Sequence, residues 1–74
     1  RMSTTTTFHV NGMTCDHCVT AVTSELTQLD GVIEVSIALK AGAISDVTVT
    51  STAELDPARV SEAIDEAGYD MVAP

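Results

Sequence analysis

An α+β fold is what the sequence predicts: one small domain in which a four-stranded antiparallel sheet carries two helices on one face. Three observations lead there. Apolar residues recur at a spacing of two in some segments and of three to four in others. These segments follow the order strand, helix, strand, strand, helix, strand, which divides the chain into two βαβ halves of similar length. The chain has 74 residues, a length that supports a single domain over residues 1–74 and that buries only roughly 60% of its unfolded surface.

Each element has its own signature. "TFHV" (7–10) alternates as a strand, with Phe8 and Val10 on the buried face and His9 turned outward. Thr4 to Thr7 are a β-favouring lead-in after a short polar start, in which Arg1, ahead of Met2, reads as a remnant of cloning. Asn11 and Gly12 then break the strand into a loop. From Asp16 the spacing turns helical: Val19, Val22, Leu26 and Leu29 fall three and four apart, opposite Thr20, Thr23, Ser24 and Thr27, and Asp30 and Gly31 end the run.

Val32 to Leu39 read as a half-buried strand, with Ile33, Val35, Ile37 and Leu39 on one face and Glu34, Ser36 and Ala38 on the other. "KAGA" (40–43) turns the chain, and Ile44, of the wrong parity, belongs with the turn. A third strand around Asp46 to Thr50 buries Val47 and Val49. Asp56 is a good N-cap for the second helix, Pro57 suits its first position and Gly68 follows its last turn. Val60, Ala63, Ile64 and Ala67 form its apolar stripe, and "YDMVA" (69–73) is a short fourth strand.

This order is that of the ferredoxin-like βαββαβ open-faced sandwich. In that topology the first and second strands run the same way. "GMTCDHC" (12–18), the hairpin "KAGAISD" (40–46) and "GYD" (68–70) therefore gather at one end.

Composition narrows the function. With one Phe, one Tyr and no Trp, the core is built from Val, Ile, Leu and Ala and has little room to enclose an organic substrate, which speaks against an enzyme with a deep pocket. Eleven acidic residues against three basic ones give a net charge of −8, so nucleic acid and anionic membrane surfaces are not expected as partners. The acidic surface either keeps the protein soluble or complements a basic face on a partner. No apolar run approaches the ~18 residues of a membrane span, and the polar start lacks a signal peptide's pattern, so a cytoplasmic location is the expectation.

The chemistry lies in the two cysteines, Cys15 and Cys18. In a reducing cytosol such a pair binds metal or exchanges electrons more often than it forms a structural bridge. Cys15 falls in the loop and Cys18 in the first helical turn, where unpaired backbone N–H groups and the helix dipole favour thiolates. That setting serves metal ligation and thiol exchange alike. A structural zinc site asks for about four ligands. Beyond the sulfurs there are only His9, expected on the outer face of the sheet, and His17, between the cysteines. Covalent haem needs a His after the second Cys, where Val19 stands. Two soft thiolates without a third strong ligand suit a soft d¹⁰ ion that accepts two-coordination, of which Cu(I) is the cytosolic candidate. The rival from another class is a small thiol–disulfide redox protein, which requires a reversible Cys15 to Cys18 disulfide.

The run "GMTCDHC" on a strand-to-helix loop, with "HVNGMTCDHC" and "ELDPARVSEAIDEAGYDM" covering most of the chain, closely resembles the heavy-metal-associated (HMA) domain family, and within it the CopZ-like bacterial copper chaperones. The resemblance implies the ferredoxin-like fold, Cys15 and Cys18 as ligands for Cu(I), and a carrier in copper homeostasis rather than an enzyme. It implies transfer by ligand exchange, through sulfur-bridged three-coordinate intermediates, to a partner such as the metal-binding domain of a copper-transporting P-type ATPase or a copper-responsive regulator. An excised N-terminal metal-binding domain of such an ATPase is the alternative. A monomer is expected without copper, and a copper-bridged dimer at high copper load.

The resemblance also assigns neighbours. Met13 is expected to anchor the loop in the core and not to ligate, while Gly12 and Thr14 shape the loop. His17 reads either as a solvated side chain or as an accessory third ligand. Tyr69 stands where bacterial copper chaperones carry a tyrosine, and either caps the core edge or shields the metal and offers its hydroxyl to a sulfur. Two departures stand out: the hairpin at 40–46 is a few residues longer than the usual compact turn, and the chain is far more acidic than chaperones that dock through basic patches.

Overall fold

The computed structural model describes residues 3–72. Its elements are β1 (Thr4–Asn11), α1 (Asp16–Thr27), β2 (Val32–Ala38), β3 (Ser45–Ser51), α2 (Pro57–Glu66) and β4 (Asp70–Val72). The strands lie in the order β2-β3-β1-β4, each pair antiparallel. This is the βαββαβ open-faced sandwich, with both helices packed on one face. Arg1 and Ala73 lie outside the described residues.

The core forms where the two helical stripes meet the inward positions of the central strands. Val10, Met13, Val22, Leu26, Val47, Val49, Val60 and Ile64 are all fully buried. Val10 comes from β1, while Val47 and Val49, two apart, come from β3; strand parity therefore selects them. On the other face, residues such as Thr5, Thr7 and His9 stay exposed.

Both ends of α2 are chemically specified. The Asp56 carboxylate accepts the Ala58 N–H at 3.0 Å, and Pro57 takes the first helical position, where no N–H is needed. At the other end Gly68 adopts φ +96°, its N–H bonds to the Asp65 carbonyl at 2.9 Å, and the Tyr69 N–H bonds to the Ile64 carbonyl at 3.1 Å. This pair of bonds is a Schellman motif, and it fixes the direction in which Tyr69 leaves the helix.

The structure differs from the sequence expectation at several places, among them the end of β2 at Ala38 short of Leu39 and the start of β4 at Asp70 after Tyr69. Thr4 to Thr7 are not a lead-in but part of β1, paired in register from Thr4↔Ser51 to Thr7↔Thr48. α1 ends at Thr27, so Leu29 packs against the core from beyond the helix. β3 gains Ser45 and Ser51, which are buried without cost because the Ser45 Oγ accepts the Lys40 N–H at 2.9 Å and the Ser51 Oγ donates to the Ala53 carbonyl at 2.6 Å. The largest difference is in β2, where Ile33 is 59% exposed. A bulge between Val32 and Glu34 inserts one residue, so the alternation restarts: Val32, Val35 and Ile37 pack inward and Ile33 is turned out.

Candidate metal centre

β1 leads straight into the site. Asn11 pairs with Asp70 of β4, and Gly12 then turns the chain with φ +98°, a conformation costly for any residue with a side chain. The ring of Tyr69 lies over this turn: a Cβ built on Gly12 stands 3.5 Å from Tyr69 Cδ1. Met13 drops into the core and is fully buried, which pins the loop from below.

Cys15 is the N-cap of α1, in extended conformation, and its side chain makes no capping bond. Its carbonyl accepts the Cys18 N–H at 3.0 Å and the Val19 N–H at 3.3 Å, so the backbone starts the helix while the sulfur stays free. Cys15 is exposed, whereas Cys18 is 6% exposed. The two sulfurs, both free thiols, are 3.8 Å apart.

The two cysteines are not electrostatically equivalent. The Thr14 N–H donates to the Cys18 Sγ at 3.4 Å, and the Thr14 hydroxyl lies 3.7 Å from the same sulfur. The Thr14 N–H is the main reason that the Cys18 thiol falls from an ordinary 9.0 to about 6; the Tyr69 hydroxyl and the Cys15 backbone lower it further, against a smaller opposing effect of burial. The effect is mutual: the Cys18 thiolate raises the Tyr69 phenol above its usual value.

Thr14, expected to shape the loop, does so through a backbone N–H that donates to the Cys18 sulfur. Its signal was available, since it stands four residues before Cys18 and just ahead of a helix N-cap, where a backbone N–H points into the first turn. The other residues fall as follows. His17 is exposed in the first turn of α1. His9 lies on the open sheet face, with its Nδ1 2.9 Å from Asp46 Oδ1. Among the described residues no third His, Cys, Asp or Glu joins the two sulfurs in a metal-binding group.

This geometry sets what the pair can hold. With metal–sulfur bonds near the ~2.3 Å of zinc thiolates, sulfurs 3.8 Å apart subtend an angle of about 110° at a shared ion. Linear two-coordination asks for about 4.6 Å, a movement of under 1 Å that the exposed Cys15 side chain can supply by rotation. A bent pair leaves one side of the ion open to a third sulfur.

Comparison with known proteins points the same way. The heavy-metal-associated domain family matches residues 7–70. The chain is similar to copper chaperone CopZ of Staphylococcus saprophyticus, with 39% identity over 71 residues that cover 90% of this chain and 96% of that protein. The solved structure of a CopZ metallochaperone superposes with a TM-score of 0.79 at 33% identity, over 93% of this chain and 100% of that one. The Cu(I)-loaded N-terminal domain of a potential copper-translocating P-type ATPase from Bacillus subtilis gives a TM-score of 0.78 at 25% identity, over 95% and 85%. Among the described residues no helix is long and apolar enough to cross a membrane.

Proposed function

The chain belongs to the heavy-metal-associated domain family, and from that we propose that it is a cytoplasmic copper chaperone, holding Cu(I) between Cys15 and Cys18 and passing it to a partner with a thiol pair of its own. The observation that carries the reading is the unequal pair: an exposed sulfur 3.8 Å from one whose thiol is lowered to about 6. Soft thiolates in so open a clasp suit a soft d¹⁰ cargo better than zinc, which favours four closed ligands. The likeness to proteins described as copper chaperones supports the same cargo.

The residues take distinct roles. Cys18, held by Thr14, keeps its thiolate and is the sulfur that releases last. Cys15, exposed and free of hydrogen bonds to the backbone, is the sulfur that a partner reaches first. An incoming partner thiol binds copper through sulfur and gives its proton to Cys15 as the Cys15–copper bond breaks. A second exchange at Cys18 completes the transfer. Copper stays Cu(I) throughout, and no bond of an organic substrate is broken, so the protein is a carrier and not an enzyme. Met13 holds the loop from the core, Tyr69 shields the Cys18 side, and His17 stays in solvent with no place in the ligand set.

The metal-binding domain of a copper-transporting P-type ATPase is the proposed acceptor, because a Cu(I)-loaded domain of this same fold is the N-terminal domain of a potential copper-translocating P-type ATPase. That likeness also favours a second reading, in which this chain is itself such a domain; among the superposed structures, the higher identity to the CopZ metallochaperone, 33% against 25%, weighs for the first.

Anaerobic titration of the reduced protein with Cu(I), Zn(II) and Hg(II) against competing chelators, with X-ray absorption of the copper form, tests the proposal. A one-to-one site with two sulfur ligands, binding Cu(I) far more tightly than zinc, is expected. Cu(I) binding retained in Cys15→Ser/Cys18→Ser would overturn it. Unchanged Cu(I) affinity in His17→Ala is expected, and a loss would restore His17 to the ligand set.

A further inference from the structure

The two edges of the sheet are built differently. Proteins protect an exposed edge with a charge, a proline or a bulge, because an unprotected edge is a template for another strand. β2, at one edge, has two of these devices: the bulge between Val32 and Glu34, and the Glu34 carboxylate itself. At the other edge β4 is three residues long and covers β1 only from His9 to Asn11. Among the described residues nothing pairs with Thr4 to Phe8 on that side. This run carries no charge and no proline, and its pairing with β3 is continuous from Thr4↔Ser51 to Phe8↔Val47, without a bulge.

The open edge offers both kinds of contact that a strand takes. The Ser51 hydroxyl lies 3.5 Å from the Thr4 carbonyl, so Thr4 is turned toward β3, and strand alternation then turns the backbone N–H and C=O groups of Thr5 and Thr7 to the open side. Beside them, where β4 stops, lies a mainly apolar groove lined by Thr6, Thr7, Phe8, Pro57, Met71 and Val72. His9 also borders it, with Nδ1 taken by Asp46. In a molecule of net charge −8, the lining of this groove carries no carboxylate.

We infer that this edge pairs with the same edge of a second copy of the chain, joining two four-stranded sheets into one continuous sheet across a two-fold axis. Register and charge both favour a copy as the occupant. With the axis at Thr6, Thr5 stands opposite Thr7 of the copy and Thr4 opposite Phe8, so the outward N–H and C=O groups satisfy one another and the pairing ends where β4 takes over at His9. Absence of charge matters most for a partner that itself carries −8. The cysteine loop follows β1, and antiparallel copies therefore carry their thiol pairs at opposite ends, each still open to exchange. The contact needs no metal and does not rest on the chaperone reading.

Sedimentation equilibrium of the reduced, metal-free protein is expected to show a dimer growing in between about 10 µM and about 1 mM, as suits a small interface. Cys15→Ser/Cys18→Ser should associate equally well. Thr5→Glu/Thr7→Glu sets like charges opposite one another across the axis and should weaken the dimer about tenfold. Thr48→Glu/Thr50→Glu adds the same charge on the neighbouring strand β3, away from the edge, and should weaken it less. Hydrogen exchange at the two ends of the concentration range reads the contact without a substitution: the Thr5 and Thr7 amides should gain protection as the dimer forms. A monomer throughout would overturn the inference and return the edge to an occupant of another kind. A dimer lost with the cysteines, weakened equally by both pairs of glutamates, or formed without protection of Thr5 and Thr7 would place the contact elsewhere and overturn it as well.

Discussion

Cys18 and Cys15 share a motif but not an environment, and the difference is carried by Thr14. Because the backbone N–H of Thr14 is the main cause of the lowered Cys18 thiol, Thr14→Val should leave most of the shift in place, whereas Tyr69→Phe should raise the thiol from about 6. Thiolate ultraviolet absorbance followed against pH in a Cys15→Ser background measures both, and a Thr14→Val titration returning to the ordinary 9.0 would refute the assignment. The shift has a consequence for folding. A group whose folded value lies below its unfolded one binds more protons when unfolded, so stability rises with pH between the two values. The contribution is complete above about pH 9 and is lost as pH falls through about 6. The urea midpoint of the metal-free protein should therefore decline from pH 9 to pH 6, with a shallower decline in Cys18→Ser. In the sequence the cysteines themselves were legible from their spacing, because a loop feeding a helix N-terminus says what becomes of a thiol. Thr14 was legible only in its position ahead of the N-cap, since the direction of its backbone N–H onto the Cys18 sulfur is set by the folded loop.

Elements whose ends carry their own chemistry were read correctly, and those set by distant partners were not. α2 shows the first case: Asp56, Pro57 and Gly68 each do locally what their residue types dictate. Asp56→Ala should cost about 1 kcal/mol in chemical denaturation by orphaning the Ala58 N–H, and Asp56→Asn, which keeps an acceptor, should recover most of it. β2 shows the second case. Counting back by twos from Val35 puts Ile33 inward, but the bulge against β3 breaks the count and turns Val32 in its place. The threonine run is similar: β-branched residues permit a strand, but only pairing with Thr48 to Ser51, far along the chain, makes one. If the bulge is the true cause, Ile33→Thr should leave stability within about 0.5 kcal/mol of wild type while Val35→Ala lowers it measurably. The reverse order would show that Ile33 is buried in solution.

The molecule as a whole is held together against its own charge. Of the eleven acidic side chains, only Asp46 makes an ion pair among the described residues, and it takes up both His9 and Lys40. The others surround a body with a radius of gyration of 11.2 Å, so most pairs of like charges lie within one or two screening lengths at about 0.1 M salt, where that length is ~10 Å. Unfolding lets those charges move apart, which makes the net charge of −8 a destabilising term that salt should relieve. For a chain of this size, relief of about 1 kcal/mol corresponds to roughly 4–8 °C in Tm. Metal-free protein under reducing conditions should therefore melt several degrees higher in about 1 M sodium chloride than in about 10 mM, since the screening length falls from ~30 Å to ~3 Å. Salt could also act by strengthening apolar burial, and the two causes part in a variant. Glu62→Gln/Asp65→Asn/Glu66→Gln removes three charges from the exposed side of α2 without touching the core. It should raise Tm at low salt and flatten the salt dependence if repulsion is the cause; an unaltered slope would assign the effect to burial instead.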